Sequence, residues 1–273
     1  MSVVDNFWSR LARAATGRAV LVRVESTQGS VPRGAGTWMA VFADGSLVGT
    51  IGGGRLEFDA IAAARERLAS PARADTGETR RYALGPSLGQ CCGGVVHLRF
   101  ETVGMDDAPR LCDALTQPLR PVALFGGGHV GAALARVLAP LPFALTWIDS
   151  RDGIFPEAVA GEVACEHSDP VQAVVPGLAV GTLVLIMSFS HAEDLDIVAA
   201  CLLRQRRQAD LPYVGLIGSA TKWATFRRRL RERGFLESEL DHVTSPIGVP
   251  GVHGKEPEVI AVAVAAQLLQ IPG

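Results

Sequence analysis

The sequence predicts an α/β protein: a C-terminal Rossmann-type parallel sheet with helices on both faces, preceded by a smaller strand-rich α/β domain. Three observations carry that expectation. From residue 121 onward, short apolar runs alternate with helical patterns, as in a parallel sheet covered on both sides. A glycine-rich turn, Gly126-x-Gly128-x-x-Gly131, stands between the first of those runs and the helix after it. Before residue 104 the chain instead carries hairpin signals and one long helical stretch.

Taken in order, residues 3–16 predict a short amphipathic helix, with Val4, Phe7, Leu11 and Ala15 near one face. Residues 19–25 alternate as a strand. A loop rich in Gly, Ser and Pro follows over 27–36. Segments 37–42 and 46–51 flank Ala43-Asp44-Gly45, whose Asp-Gly pair predicts a hairpin turn. The second hairpin strand runs into Gly52-Gly53-Gly54, and a helix is expected over 55–69. Residues 80–101 predict two more strands around Gly89-Gln90-Cys91-Cys92-Gly93-Gly94. Their order in a sheet does not follow from the pattern.

Residues 104–120 contain Asp106, Asp107, Pro109, Gln117 and Pro118, a short helix between breakers. The expected organisation is a first domain over 1–104, a linker helix over 105–120 and a Rossmann-type domain over 121–273. In the latter, strands are predicted at 121–125, 144–149, 181–188 and 212–218. Helices are predicted at about 129–139, 169–175, 193–204, 220–233 and 256–270. The last is apolar nearly all round, which predicts burial or a dimer contact.

Composition narrows the function classes. The chain has 273 residues, 48% of them hydrophobic, enough for a sizeable core. A formal net charge of -2 argues against nucleic acid as a partner. The basic run over 226–233 reads as the solvated face of a helix. No apolar run reaches the ~18–20 residues of a membrane span. The N-terminus lacks the basic start and apolar stretch of a signal peptide. A soluble cytoplasmic protein is the expectation. Five cysteines, an odd number without framework spacing, read as free thiols.

The chemistry begins at the glycine turn. Glycines at 126, 128 and 131 allow a close approach to a phosphate, and the following helix start offers N–H groups and a positive dipole end. His129 could donate to that phosphate or merely cap the turn. The next strand ends in Asp149, about 20 residues on, where an acid holds ribose hydroxyls. Asp149 would repel a 2′-phosphate, disfavouring NADP without help from Arg151. A purely structural turn is the plain alternative.

Cys91 and Cys92 are flanked by glycines, which favours accessible thiols. Adjacent cysteines make a poor zinc hook, but one thiolate is a good soft ligand and can handle sulfur. Two buried small hydrophobes are the alternative. Cys112, Cys165 and Cys201 read as packing residues. His191 and Asp194 follow the third Rossmann strand and could face the crevice, or simply begin a capped helix. Ser219 and Lys222 follow the fourth strand and suit an anion. Gly52-Gly53-Gly54-Arg55 suggests a second anion-friendly turn, and Arg33 could add positive charge.

Several segments together resemble the XdhC family, accessory proteins of xanthine dehydrogenase and related molybdenum hydroxylases. They are Gly29-Ser30-Val31-Pro32-Arg33, Gly49-Thr50-Ile51-Gly52-Gly53-Gly54-Arg55-Leu56-Glu57, Gly89-Gln90-Cys91-Cys92-Gly93-Gly94, the turn from Leu124 to Gly131, and Pro246-Ile247-Gly248 followed by Gly254-Lys255-Glu256-Pro257. The resemblance covers nearly the whole chain. It implies a chaperone, not a turnover enzyme, that binds molybdenum cofactor (molybdopterin). Such a chaperone supports sulfuration by a cysteine desulfurase and delivers the cofactor to apo-xanthine dehydrogenase, a purine-catabolic client. On that reading the turn seats the pterin phosphate or a nucleotide, and Cys91 and Cys92, with Cys92 favoured, face molybdenum or sulfur. Ser188-Phe189-Ser190-His191 departs from the His-x-His or Thr-His of relatives, so no metal role is carried over there.

Two other readings compete. One is an NAD-dependent oxidoreductase using the turn, Asp149 and His191, although no clear acid–base set accompanies them. The other is a nucleotide-sensing regulator that forms a homodimer through its last helix.

Overall fold

The structure is a computed structural model that describes residues 3–70, 77–85, 93–116, 118–156 and 163–272. The chain divides into two units, Met1–Gln117 and Pro118–Gly273.

Unit 1 contains α1 (Val3–Arg13), β1 (Arg18–Gln28), β2 (Trp38–Phe42), β3 (Leu47–Gly49), α2 (Gly54–Ala69), β4 (Glu78–Ala83), β5 (Val95–Gly104) and α3 (Ala108–Leu115). Its five strands form an antiparallel sheet in the order β3-β2-β1-β5-β4. Side chains alternate across a strand, so β1 sends Val20, Val22 and Val24 to one face and Ala19 and Leu21 to the other. The first face is covered by Leu56, Ala60 and Ala64 of α2. The second is covered by Phe7 and Leu11 of α1 and by Leu111 and Leu115 of α3. The indole of Trp38 donates to the Leu115 carbonyl at 3.2 Å. The stretch read as a linker helix therefore packs as part of unit 1. The hairpin turns at Gly45, with φ of 82°, while Asp44 accepts from the Ser46 amide at 2.9 Å.

Unit 2 contains β6 (Arg120–Phe125), α4 (His129–Leu138), β7 (Phe143–Asp149), β8 (Ala164–His167), β9 (Leu183–Ile186), α5 (His191–Gln208), β10 (Tyr213–Leu216), α6 (Ala220–Glu232), α7 (Glu237–Leu240), β11 (Val243–Thr244) and α8 (Pro257–Gln270). The parallel sheet runs β11-β10-β9-β6-β7-β8. This is the doubly wound Rossmann order, whose direction reverses between β6 and β9. Leu195, Val198 and Leu202 of α5 with Trp223, Phe226 and Leu230 of α6 cover one face, and α4 and α8 the other. The helix expected near 169–175 is a 3-10 segment, Val171–Gly177, with Pro176 inside it. Strands β8 and β11 were not anticipated. β8 exposes all four residues, and β11 is two residues long, so neither carries a periodic burial signal.

The basic run lies on α6 as expected. Trp223, Phe226 and Leu230 face inward, and the arginines pair outward: Arg227 with Asp241 at 2.8 Å and with Glu237, and Arg233 with Asp196 at 2.7 Å. Helix α8 buries Ala261, Ala263, Val264, Ala265 and Leu268 but leaves Val262 and Leu269 exposed. No helix among the described residues is long and apolar enough to cross a membrane.

Candidate anion-binding site at the strand switch point

The turn after β6 lies at the carboxyl end of the central strand, where ligands of open α/β sheets bind. Its glycines do different jobs. Gly126 has φ of 122°, and a Cβ there would stand 2.0 Å from the Met187 carbonyl oxygen. A Cβ on Gly131 would stand 2.0 Å from the Gly126 carbonyl oxygen. That same oxygen accepts from the Trp147 indole at 2.9 Å. So Gly126 lets β6 turn against the chain after β9, and Gly131 lets α4 settle onto the turn. Gly127 is crowded by Ile154 and Asp149. Gly128 differs: a Cβ would meet nothing within 4 Å, and the residue is exposed. It opens α4 without a side-chain cap, and His129 beside it is exposed as well. An uncapped helix start with open space before it can accept an anion on backbone N–H groups.

Asp149 sits behind the turn, 2% exposed. Its Oδ1 accepts from the Arg151 amide at 2.8 Å and from Arg151 Nε at 2.9 Å. Its Oδ2 accepts from Arg151 Nη2 at 2.9 Å and from the Gly127 amide at 2.5 Å. Burial works to raise this carboxyl's pKa, but the hydrogen bonds from Arg151 and Gly127 outweigh it and hold the value below the usual range. A carboxylate offers about four acceptor positions, and here four donors use them. Arg151 itself lies 4.6 Å from the ring centroid of Phe189, which is 66% exposed.

Beside the turn, the ends of β9 and β10 are joined by a buried network. Asp194 accepts from the Ser188 amide at 2.8 Å and from its hydroxyl at 2.7 Å. Lys222 Nζ donates to Asp194 at 2.6 Å and to the Ile217 carbonyl at 2.8 Å. Ser219 caps α6 by accepting from the Lys222 amide at 3.2 Å, and Ser190 caps α5 through Glu193. Of the residues read as suiting an anion, Ser219 and Lys222 are thus spent on the chain's own groups. His191 is exposed and stands edge-on to Phe226 at 6.2 Å. The Ser188–Asp194–Lys222 network was not read from sequence. Its only signal was an acid three residues into a helix and a lysine in the first turn of the next.

In unit 1 the glycine motifs meet at one corner. A Cβ on Gly52 would stand 2.7 Å from Cβ of Pro32, and one on Gly94 would stand 2.4 Å from the Ser30 carbonyl oxygen. The turn expected to suit an anion is filled by the chain itself. Glu57 Oε2 accepts from Thr50 Oγ1 at 2.5 Å, from the Ile51 amide at 3.0 Å and from the Gly53 amide at 3.1 Å. Cys91 and Cys92 lie outside the described residues. Cys201 is buried as expected, and burial pushes its thiol up to about 12. Cys112 and Cys165 are exposed rather than packed. Among the described residues, no group of three or more His, Cys, Asp or Glu could hold a metal ion.

Residues 122–268 match the XdhC Rossmann domain, and residues 12–83 match the XdhC and CoxI family. The chain is 28% identical over 253 residues to the uncharacterised protein YqeB of Escherichia coli. That match takes in 92% of this chain and 43% of YqeB, so the chain spans less than half of that relative. A solved structure described as a xanthine dehydrogenase from Bacillus halodurans superposes with a TM-score of 0.78 at 20% identity. It covers 99% of this chain and 96% of that one, a likeness of fold over both units. With its Rossmann turn intact and more than half its length matched by the family's own Rossmann domain, this chain belongs to the XdhC family.

Proposed function

We propose that this chain is an accessory protein in xanthine dehydrogenase maturation. It binds molybdenum cofactor, keeps it during sulfuration by a cysteine desulfurase, and hands it to the apo-hydroxylase. Membership of the XdhC family supports the maturation role. The observation that carries the binding role is Gly128: in a turn whose other glycines are filled by the chain, it alone faces open space at an uncapped helix start. The pterin phosphate lies there, on the amides that open α4 beside His129. Asp149, Ser219 and Lys222 support the turn and its neighbours from behind. Cys91 and Cys92 are the thiols that would meet molybdenum or sulfur, since a soft thiolate suits a sulfur-rich metal centre and can exchange away on delivery. The chain itself turns nothing over in this role.

Equilibrium binding of purified molybdenum cofactor to the whole chain tests the reading. Saturable binding is expected, with the bound molybdenum falling in a Cys91→Ser/Cys92→Ser variant and the bound pterin falling in Gly128→Asp. Absence of saturable binding, or binding unchanged in both variants, sinks it. The exposed Val262 and Leu269 on α8 support a homodimer through that helix. Light scattering on Val262→Lys, with a monomer as the expected result, checks that part.

A further inference from the structure

The acid that ends the second strand of a Rossmann sheet accepts from ribose hydroxyls when it is reachable. Asp149 is not reachable. Its side chain is 1% exposed, and its acceptor positions are taken by Arg151 and Gly127. What faces solvent at that position is the guanidinium of Arg151, whose side chain is 34% exposed. Two of its five N–H donors point at Asp149, which fixes the plane of the group. Phe189 supports that plane from one side. Ser150, between the two, is tied to Glu193 Oε1 at 2.6 Å. Glu193 Oε2 is buried and cannot meet a hydroxyl from outside. The charged side chain that residues 149–151 turn to solvent is therefore a held cation, and the carboxylate beside it is closed to a hydroxyl from outside.

We propose that unit 2 binds an adenine nucleotide phosphorylated on its ribose, of the NADP(H) kind, with Arg151 as the specificity-determining residue. The 5′-phosphate lies at the open Gly128 and the start of α4. The 2′-phosphate lies on the outer edge of the Arg151 guanidinium, whose fork geometry suits phosphate. Asp149 thus selects for the 2′-phosphate indirectly, by positioning Arg151. Asp149 and Glu193 lie behind the guanidinium and temper its attraction, so a preference of about tenfold is expected rather than a much larger one. The proposal goes beyond the cargo reading and does not need it: a nucleotide seated at Gly128 excludes the pterin phosphate from the same amides.

Calorimetric titration of the whole chain with 2′,5′-ADP and with 5′-AMP tests this. The bisphosphate is expected to bind about tenfold or more tightly. Arg151→Ala should erase that difference while leaving 5′-AMP affinity in place, and Arg151→Lys should keep part of it. Because Arg151→Ala also strips Asp149 of its partner, Phe189→Leu gives a second arm. It spares the Asp149–Arg151 pair, and the preference should shrink as the guanidinium loses its support. Equal affinities for the two nucleotides, binding of neither, or a preference that survives Arg151→Ala overturns the proposal. No molybdenum or pterin enters these titrations, so their failure is distinguishable from failure of the chaperone role.

Discussion

The ammonium of Lys222 lies 2.6 Å from Oδ2 of Asp194, and the pair closes the floor beside the glycine turn. Both side chains are nearly buried, at 12% and 3% exposed. Oδ1 of Asp194 also holds Ser188, the residue after Met187, against which Gly126 packs. Removing one partner of a buried pair leaves an uncompensated charge, at about 3–5 kcal/mol. Asp194→Ala should fall in that range, since it strands both Lys222 and the Ser188 amide. Lys222→Met should cost less, about 1–3 kcal/mol, because Asp194 keeps its two bonds from Ser188. Urea unfolding of both variants measures the difference, and equal small losses would mean the pair is only decorative.

The glycines of the turn should separate stability from binding. Gly131→Ala places a Cβ 2.0 Å from a backbone oxygen, so the helix or the turn must move. A loss of about 2–4 kcal/mol is expected, the scale of a strained or overpacked site. Gly128→Ala meets nothing and has φ of -73°, which alanine adopts freely. Its fold should lose no more than about 1 kcal/mol, the scale of a weakened N-cap. Binding of phosphate-bearing ligand should nonetheless drop, because the methyl group stands where the anion approaches. Thermal melts beside ligand titrations would reveal the opposite ranking if the roles were reversed.

What could be read from the sequence follows from where burial leaves a period. Strands β6, β7, β9 and β10 are apolar and were placed within a few residues, as were α4, α6 and α8. β8 was missed because Ala164, Cys165, Glu166 and His167 are all exposed on a sheet edge. The glycine turn was legible because strand, Gly-x-Gly and helix adjoin in sequence. The fate of Asp149 was not, because its saturation depends on the guanidinium two residues on folding back over it. The sequence offers Lys222 to an anion for the same reason: the partner it takes instead lies 28 positions away on another helix. Likewise Glu57 shares a motif with the turn it fills, and only the helix geometry brings its carboxylate to the Ile51 and Gly53 amides.

Cys201 offers a test of thiol assignment. It is fully buried in the α5 face of unit 2, and its pKa is pushed up to about 12 by burial. The thiolate is the reactive form, so at pH 8 its native fraction is about one in ten thousand. Alkylation of the folded chain followed by mass mapping should leave Cys201 unmodified while labelling exposed Cys112. Rapid labelling of native Cys201 would show that the core opens readily there. The result also bounds which thiols can serve a metal or sulfur.

Acid stability should separate two carboxylates whose pKa values are both lowered. A group with a depressed folded pKa stabilises the fold above its unfolded value, and that contribution is lost as pH falls toward the folded value. For Glu239, hydrogen-bonded by Arg206 and the Leu236 amide, the value drops from 4.5 to about 2, so the loss runs between those limits. For Asp149 the loss begins near pH 4 and continues downward, in the direction its Arg151 and Gly127 bonds dictate. Glu239 meets Arg206 at the surface, where salt screens the pair. Asp149 is enclosed, so salt should touch it little. Unfolding free energy measured from pH 5 to pH 2 should therefore fall less steeply in Glu239→Gln at low salt only. Asp149→Asn should flatten the same limb at both low and high salt, and it should lower stability at pH 7, where the native pair is intact. An acid limb identical to that of the parent chain in Asp149→Asn would show that Arg151 is not held through that carboxylate.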